Sequence, residues 1–96
     1  MIRNLANKIT EDIYHEINSR HARQIPGELH GKICRLLDQL DAVTQVEMLH
    51  IPPSNHLEKL SGNLAEYWSL RINIKWCIIF KWEKGNAHEV EIVDYH

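Results

Sequence analysis

Ninety-six residues, 44% hydrophobic and 25% charged, suffice for one small core and predict a single domain over residues 1–96. Eleven Lys and Arg against thirteen Asp and Glu give a formal charge of −2, which excludes a protein that grips polyanions by bulk positive charge. No apolar run nears the roughly 18 residues of a spanning helix, and the opening MIRNLANKITEDI lacks a signal peptide's apolar stretch. Cys34 and Cys77 make neither a C-x-x-C nor a disulfide framework, so the chain reads as cytosolic.

In chain order, residues 2–5 have the pattern of a short opening strand. A helix is predicted at about 10–17, with Thr10 as N-cap, Glu11 and Asp12 in its first turn, and Ile13 and Ile17 on one face. Asn18–Gln24, with Arg20, His21 and Arg23, reads as an exposed loop. The clearest helix is 26–43: Leu29, Ile33, Leu36, Leu37, Leu40 and Val43 recur at helical spacing, and Pro26 suits its first turn. Residues 46–66 form a connector that contains Pro52-Pro53 and Gly62.

Beyond the connector the pattern alternates with period two. Trp68, Leu70 and Ile72 share one face of a first strand, and Trp76, Ile78, Phe80 and Trp82 share one face of a second. The short link between them predicts a hairpin in which Ile72 opposes Ile78, Leu70 opposes Phe80 and Trp68 opposes Trp82. Arg71, Asn73 and Cys77 then share the polar face. Lys84-Gly85-Asn86 turns the chain into a last strand, about 88–94. Two helices followed by strands predict an α+β fold, both helices on one side of a small, mainly antiparallel sheet.

The polar residues that stand out are His56, Lys59, Arg71, Asp94, Tyr95 and His96. Each has a bland reading: a polar chain end frays, and a sheet-face Arg is ordinarily solvated. Against that, the last strand is apolar up to Val93, which anchors the residues that follow. His15, His21, His30, His50 and His88 have no repeated ligand spacing and read as surface residues, so no metal or other cofactor is expected. The three Trp fit apolar faces as core fillers, and no exposed aromatic platform for single-stranded nucleic acid is evident. Cys34, beside the apolar helix stripe, reads as a buried or half-buried small side chain.

The run Pro53-Ser54-Asn55-His56-Leu57-Glu58-Lys59-Leu60-Ser61-Gly62-Asn63, followed by Tyr67-Trp68-Ser69-Leu70-Arg71-Ile72-Asn73, resembles the HigB group of the RelE superfamily. So do Trp76, Phe80-Lys81-Trp82 and the ending Val90-Glu91-Ile92-Val93-Asp94-Tyr95-His96. Ile25-Pro26 and Leu36–Ala42 fit as well; residues 1–24 fit loosely. The resemblance implies a RelE-like fold and the toxin of a type II toxin–antitoxin pair. Such a toxin enters the ribosomal A site and cuts mRNA without metal. Its partners would be the ribosome and a HigA-like helix-turn-helix antitoxin.

Metal-free RNA cleavage turns the ribose 2′-OH onto the adjacent phosphate. It needs a base for that hydroxyl, an acid for the leaving 5′-oxygen, and cations for the phosphorane charge. The resemblance implies His96 as the first choice for the general acid or base, with His56 as its partner or a ligand to phosphate and nucleobase. It implies Asp94 as an orienting carboxylate, Tyr95 as a stacking or donor group, and Lys59 and Arg71 as positive charge. Asn73, Lys75 and Lys81 are the expected substrate contacts. His56, Lys59, Arg71 and residues 94–96 are expected to converge in one open cleft.

One position departs from the family pattern R-x-N-x-x-W-R: Cys77 follows Trp76 where Arg is usual. A thiol makes no bidentate charge-assisted contact. This supports an alternative reading, a weakened or inactive homologue that binds antitoxin and tunes operon repression. With a net charge of −2, any contact with ribosomal RNA rests on local patches, one in 53–84 and another from Arg20, Arg23, Lys32 and Arg35.

Overall fold

The structure, a computed structural model, describes residues 1–94. Helices Lys8–Tyr14 (α1) and His30–Ala42 (α2) precede strands Glu58–Lys59 (β1), Tyr67–Arg71 (β2), Trp76–Glu83 (β3) and Asn86–Asp94 (β4). The strands form an antiparallel meander in sequence order. Two helices on such a sheet make the α+β arrangement expected from the pattern.

The stripe on α2 is buried as its spacing predicts: Ile33, Leu36, Leu37 and Leu40 have at most 1% of their surface exposed. They join Leu70, Ile72, Ile78, Phe80, Val90 and Ile92 of the sheet in one apolar cluster, with Trp68, Trp76 and Trp82 packed against it. Pro26 heads a separate 3₁₀ turn, Gly27–Leu29, and the α-helix itself begins at His30. Among the described residues, no helix is long and apolar enough to cross a membrane.

The first helix differs from expectation at both ends. Asn7, not Thr10, is its N-cap: the extended Asn7 accepts bonds at Oδ1 from Thr10 N (2.9 Å) and Thr10 Oγ1 (2.5 Å). Thr10 is fully buried, and its Oγ1 accepts from the backbone N–H of Ile92 at 2.9 Å, tying the helix to β4. The helix stops at Tyr14, and Glu16 is left-handed (φ 57°), so Ile17 falls beyond it and is 49% exposed. Thr10→Val keeps the shape but leaves the N–H of Ile92 unpaired. It is expected to cost about 1–3 kcal/mol, read as a lower urea midpoint with unchanged slope.

Residues 1–6 run parallel to β4, but as two separated bridges, Ile2 with Ala87 and Leu5 with Val90. Arg3 N donates to Ala87 O (2.8 Å) and Ala6 N to Val90 O (2.7 Å). A bulge in β4 breaks the ladder: its register shifts opposite Ile79–Lys81, and Glu89 is left-handed (φ 52°). Asn4 Oδ1 accepts from the Glu89 N–H at 3.0 Å across that gap.

The β2–β3 hairpin is offset by two residues from the predicted register. Arg71 opposes Cys77, Leu70 opposes Ile78 and Trp68 opposes Phe80. The turn causes the shift. Asn73 Oδ1 accepts from Lys75 N (2.9 Å) and Trp76 N (2.8 Å), while Ile72 N donates to Trp76 O at 3.0 Å. That closes the hairpin tightly. A shift of two preserves every side chain's face, so the apolar side stays intact.

Candidate active site

The sheet face away from the apolar cluster is laid out in rows. Arg71, Cys77 and Val93 make one row, Ser69, Ile79 and Glu91 the next, and Tyr67, Lys81 and His88 a third. Cys77 and Ile79 are buried yet absent from the main cluster, as befits residues on the opposite face.

At the first row is a small cleft of about 40 Å³, lined by His56, Glu58, Ser69, Arg71, Asn73, Ile74, Trp76 and Cys77. It is large enough for part of a ligand only. His56 caps the 3₁₀ turn Pro53–Asn55 and is left-handed, with φ 46° and ψ 54°. For a residue with a Cβ that conformation costs roughly 1–2 kcal/mol. It is held by its neighbours: Asn55 is buried and donates through Nδ2 to Leu49 O and Gln39 Oε1, both at 3.1 Å, and Leu57 is buried on the other side. The imidazole between these anchors is exposed.

Arg71 ends β2 and is exposed. Ion pairs among the described residues are Lys8–Asp12, Lys75–Asp94 and Lys81–Glu66, so no described carboxylate neutralises the Arg71 guanidinium at contact distance. Asn73 commits its Oδ1 to the turn and also lines the cleft. Lys32 reaches over from α2 and donates to Ile72 O at 2.6 Å, between Arg71 and Asn73 in sequence.

Of the expected convergence, His56 and Arg71 meet in the cleft, and Asn73 joins them. Lys59 does not. It pairs with Trp68, so it lies on the helix-side face, its Nζ 5.6 Å from that ring's centre and donating to Ala65 O. A single step along β1 reverses the face, and Glu58, opposite Ser69, occupies the cleft instead. Asp94 pairs with Trp76 on the helix-side parity, with Oδ2 3.8 Å from Lys75 Nζ. Lys75 also stands 5.3 Å from the Trp76 ring centre. Lys81 is two rows away on the cleft's face. Tyr95 and His96 lie outside the described residues.

Sequence reasoning missed Glu58 and Ser69. Two-residue β1 carries no periodicity, so its pairing with β2 left no signal beyond the polar character of both residues.

Cys77 is 5% exposed. Burial pushes its thiol up to about 11, and the positive charge of Arg71 opposes the rise. At pH 8 native Cys77 is therefore expected to react with iodoacetamide about two hundredfold more slowly than a free thiol of pKa about 8.5, from its smaller thiolate fraction. Time-resolved mass spectrometry checks this, with the denatured chain as control. Among the described residues no three His, Cys, Asp or Glu side chains group as metal ligands would.

Comparison with known proteins bears on the same residues. Over 74 residues, 77% of each chain, the sequence is 39% identical to "Toxin HigB-1" of Vibrio cholerae serotype O1. It is 31% identical to an uncharacterized protein of Haemophilus influenzae over 77 residues, 80% of this chain and 75% of that one. With "Endoribonuclease HigB" of Proteus vulgaris it shares 28% identity over 72 residues, 75% of this chain and 77% of the other. The family model described as the RelE-like toxin of the type II toxin–antitoxin system HigB matches residues 3–96. A sheet with one face buried under two helices, an exposed cleft on the other, and a match along nearly the whole chain lead to one assignment: the chain belongs to the HigB-like family of RelE-like toxins.

Proposed function

We propose that this chain is an endoribonuclease toxin that cuts mRNA in the ribosomal A site, in the cytoplasm, and that a HigA-like helix-turn-helix antitoxin restrains it. Support comes from family membership and from the Proteus vulgaris relative's name. The observation that carries the reading is the juxtaposition of exposed His56 and Arg71 in one cleft. Imidazole exchanges protons near neutral pH, and a guanidinium binds phosphate.

In the proposed reaction the 2′-oxygen forms a bond to phosphorus, its proton passes to a base, and the P–O5′ bond breaks. A proton is delivered to the 5′-oxygen, which leaves a cyclic phosphate. His56 and His96 divide the two proton roles, and Arg71 meets the charge on the phosphorane. Asp94 orients a neighbouring group, Tyr95 stacks or donates, and Asn73 and Lys75 hold the RNA beside the cleft. Lys81 holds it further along the same face, and Lys59 adds charge from the flank. No metal ion takes part in these steps.

His56→Asn tests the assignment, because Asn tolerates the left-handed backbone but transfers no proton. Cleavage on programmed ribosomes is expected to fall by about 10²–10⁴ with melting unchanged. Undiminished cleavage would remove His56 from the chemistry. Naked RNA, which the ribosome does not position, is expected to be cut poorly by either protein.

One observation favours a second reading, the weakened antitoxin-binding homologue. A neutral thiol, Cys77, stands directly opposite Arg71, where a second guanidinium is expected of this family. Growth arrest on induction without the antitoxin gene supports the active toxin; unimpaired growth with intact antitoxin binding supports the alternative.

A further inference from the structure

Two rows from Arg71, the same face carries a cluster of which the proposed reaction uses only Lys81, as a contact to the RNA. Lys81 of β3 is paired with Tyr67 of β2 on one side and His88 of β4 on the other. The Lys81 Nζ stands 5.4 Å from the Tyr67 ring centre, and all three residues are partly exposed. Between this row and that of Arg71 lie Ser69, which also lines the cleft, and Ile79, a small and an apolar side chain with 6% and 5% of their surface exposed. Glu91 flanks them.

Tyr67 is four residues from Arg71 along one strand, about 13 Å at the usual rise. A phosphate held at Arg71 therefore cannot also sit at Lys81; a neighbouring nucleotide of the same strand can. We infer that Tyr67, Lys81 and His88 form a second nucleotide subsite, in which Tyr67 stacks on a base of the RNA and Lys81 and His88 contact its phosphate or ribose. The inference rests on the ribonuclease reading above and deepens it. An aromatic face stacks on any base, and a cation beside it tracks the backbone. Glu66 now partners Lys81 at 3.5 Å, but it is 81% exposed. Exposed pairs of this kind contribute little, so a phosphate can take its place.

The test compares Tyr67→Leu, Tyr67→Phe and Lys81→Gln with the parent on programmed ribosomes. Tyr67→Leu is expected to raise KM roughly tenfold while kcat holds, and Tyr67→Phe to retain the parent's KM, because stacking needs the ring and not the hydroxyl. Lys81→Gln is expected to raise KM and reduce its salt dependence. Independently, titration of the unmodified protein with a 2′-O-methyl hexanucleotide, which cannot be cleaved, is expected to shift the Tyr67 and His88 ring resonances. A parent that cleaves, with Tyr67→Leu at the parent's KM and those resonances unmoved, overturns the subsite and spares the ribonuclease reading. A folded parent that cuts nothing on the ribosome overturns the reading beneath, and the titration alone then decides whether the subsite stands.

Discussion

Cys77→Arg is expected to raise single-turnover cleavage on programmed ribosomes by about 10²–10³, the usual worth of one preorganised donor to a developing oxyanion. Cys77 pairs directly with Arg71 across the hairpin, at the cleft that also receives His56. An arginine there would present two guanidinium groups to one phosphate, where the present thiol, pushed up to about 11, presents no charge. The gain has a structural cost. The position is 5% exposed, so the longer side chain must climb out over the sheet face. Like charges in directly opposed strand positions also destabilise, by about 0.2–1 kcal/mol. Melting should fall by a few degrees while cleavage and toxicity rise, so a variant clonable only alongside the antitoxin gene fits the expectation. Cleavage unchanged in a folded Cys77→Arg protein would show that charge at this position is not limiting.

His96→Gln is expected to lower cleavage by about 10²–10⁴, the contribution of a positioned acid or base. Gln retains hydrogen bonding but neither gains nor loses a proton near neutral pH. The loss should therefore appear in kcat and flatten one limb of the pH–rate profile, while affinity for the ribosome holds. Comparison with His56→Asn separates the roles: loss of opposite limbs in the two variants assigns the base to one and the acid to the other. A His96→Gln protein that cleaves at the parent's rate would exclude the terminal imidazole from proton transfer.

The sequence by itself determined the fold class, the long helix and the side of the sheet on which each residue of β2 and β3 lies. Leu-rich 3.6-residue spacing in α2 and strict alternation in β2 and β3 leave few ways to bury the apolar side chains. The ordered run from Pro53 to His96 also carried the family, because side-chain identities at defined spacings survive without knowledge of contacts. Only the tertiary structure decided the details that position the cleft. The hairpin register came from Asn73 bonding the turn, a local polar contact to which apolar alternation is blind. Lys59 left the cleft and Glu58 entered it because two-residue β1 takes its register wholly from β2. Asn7 displaced Thr10 as cap because Ile92, 82 residues away in sequence, claims the threonine hydroxyl. Periodicity reports which face is buried; which polar atoms meet depends on strands and helices far apart in the chain, and only their packing brings those atoms together.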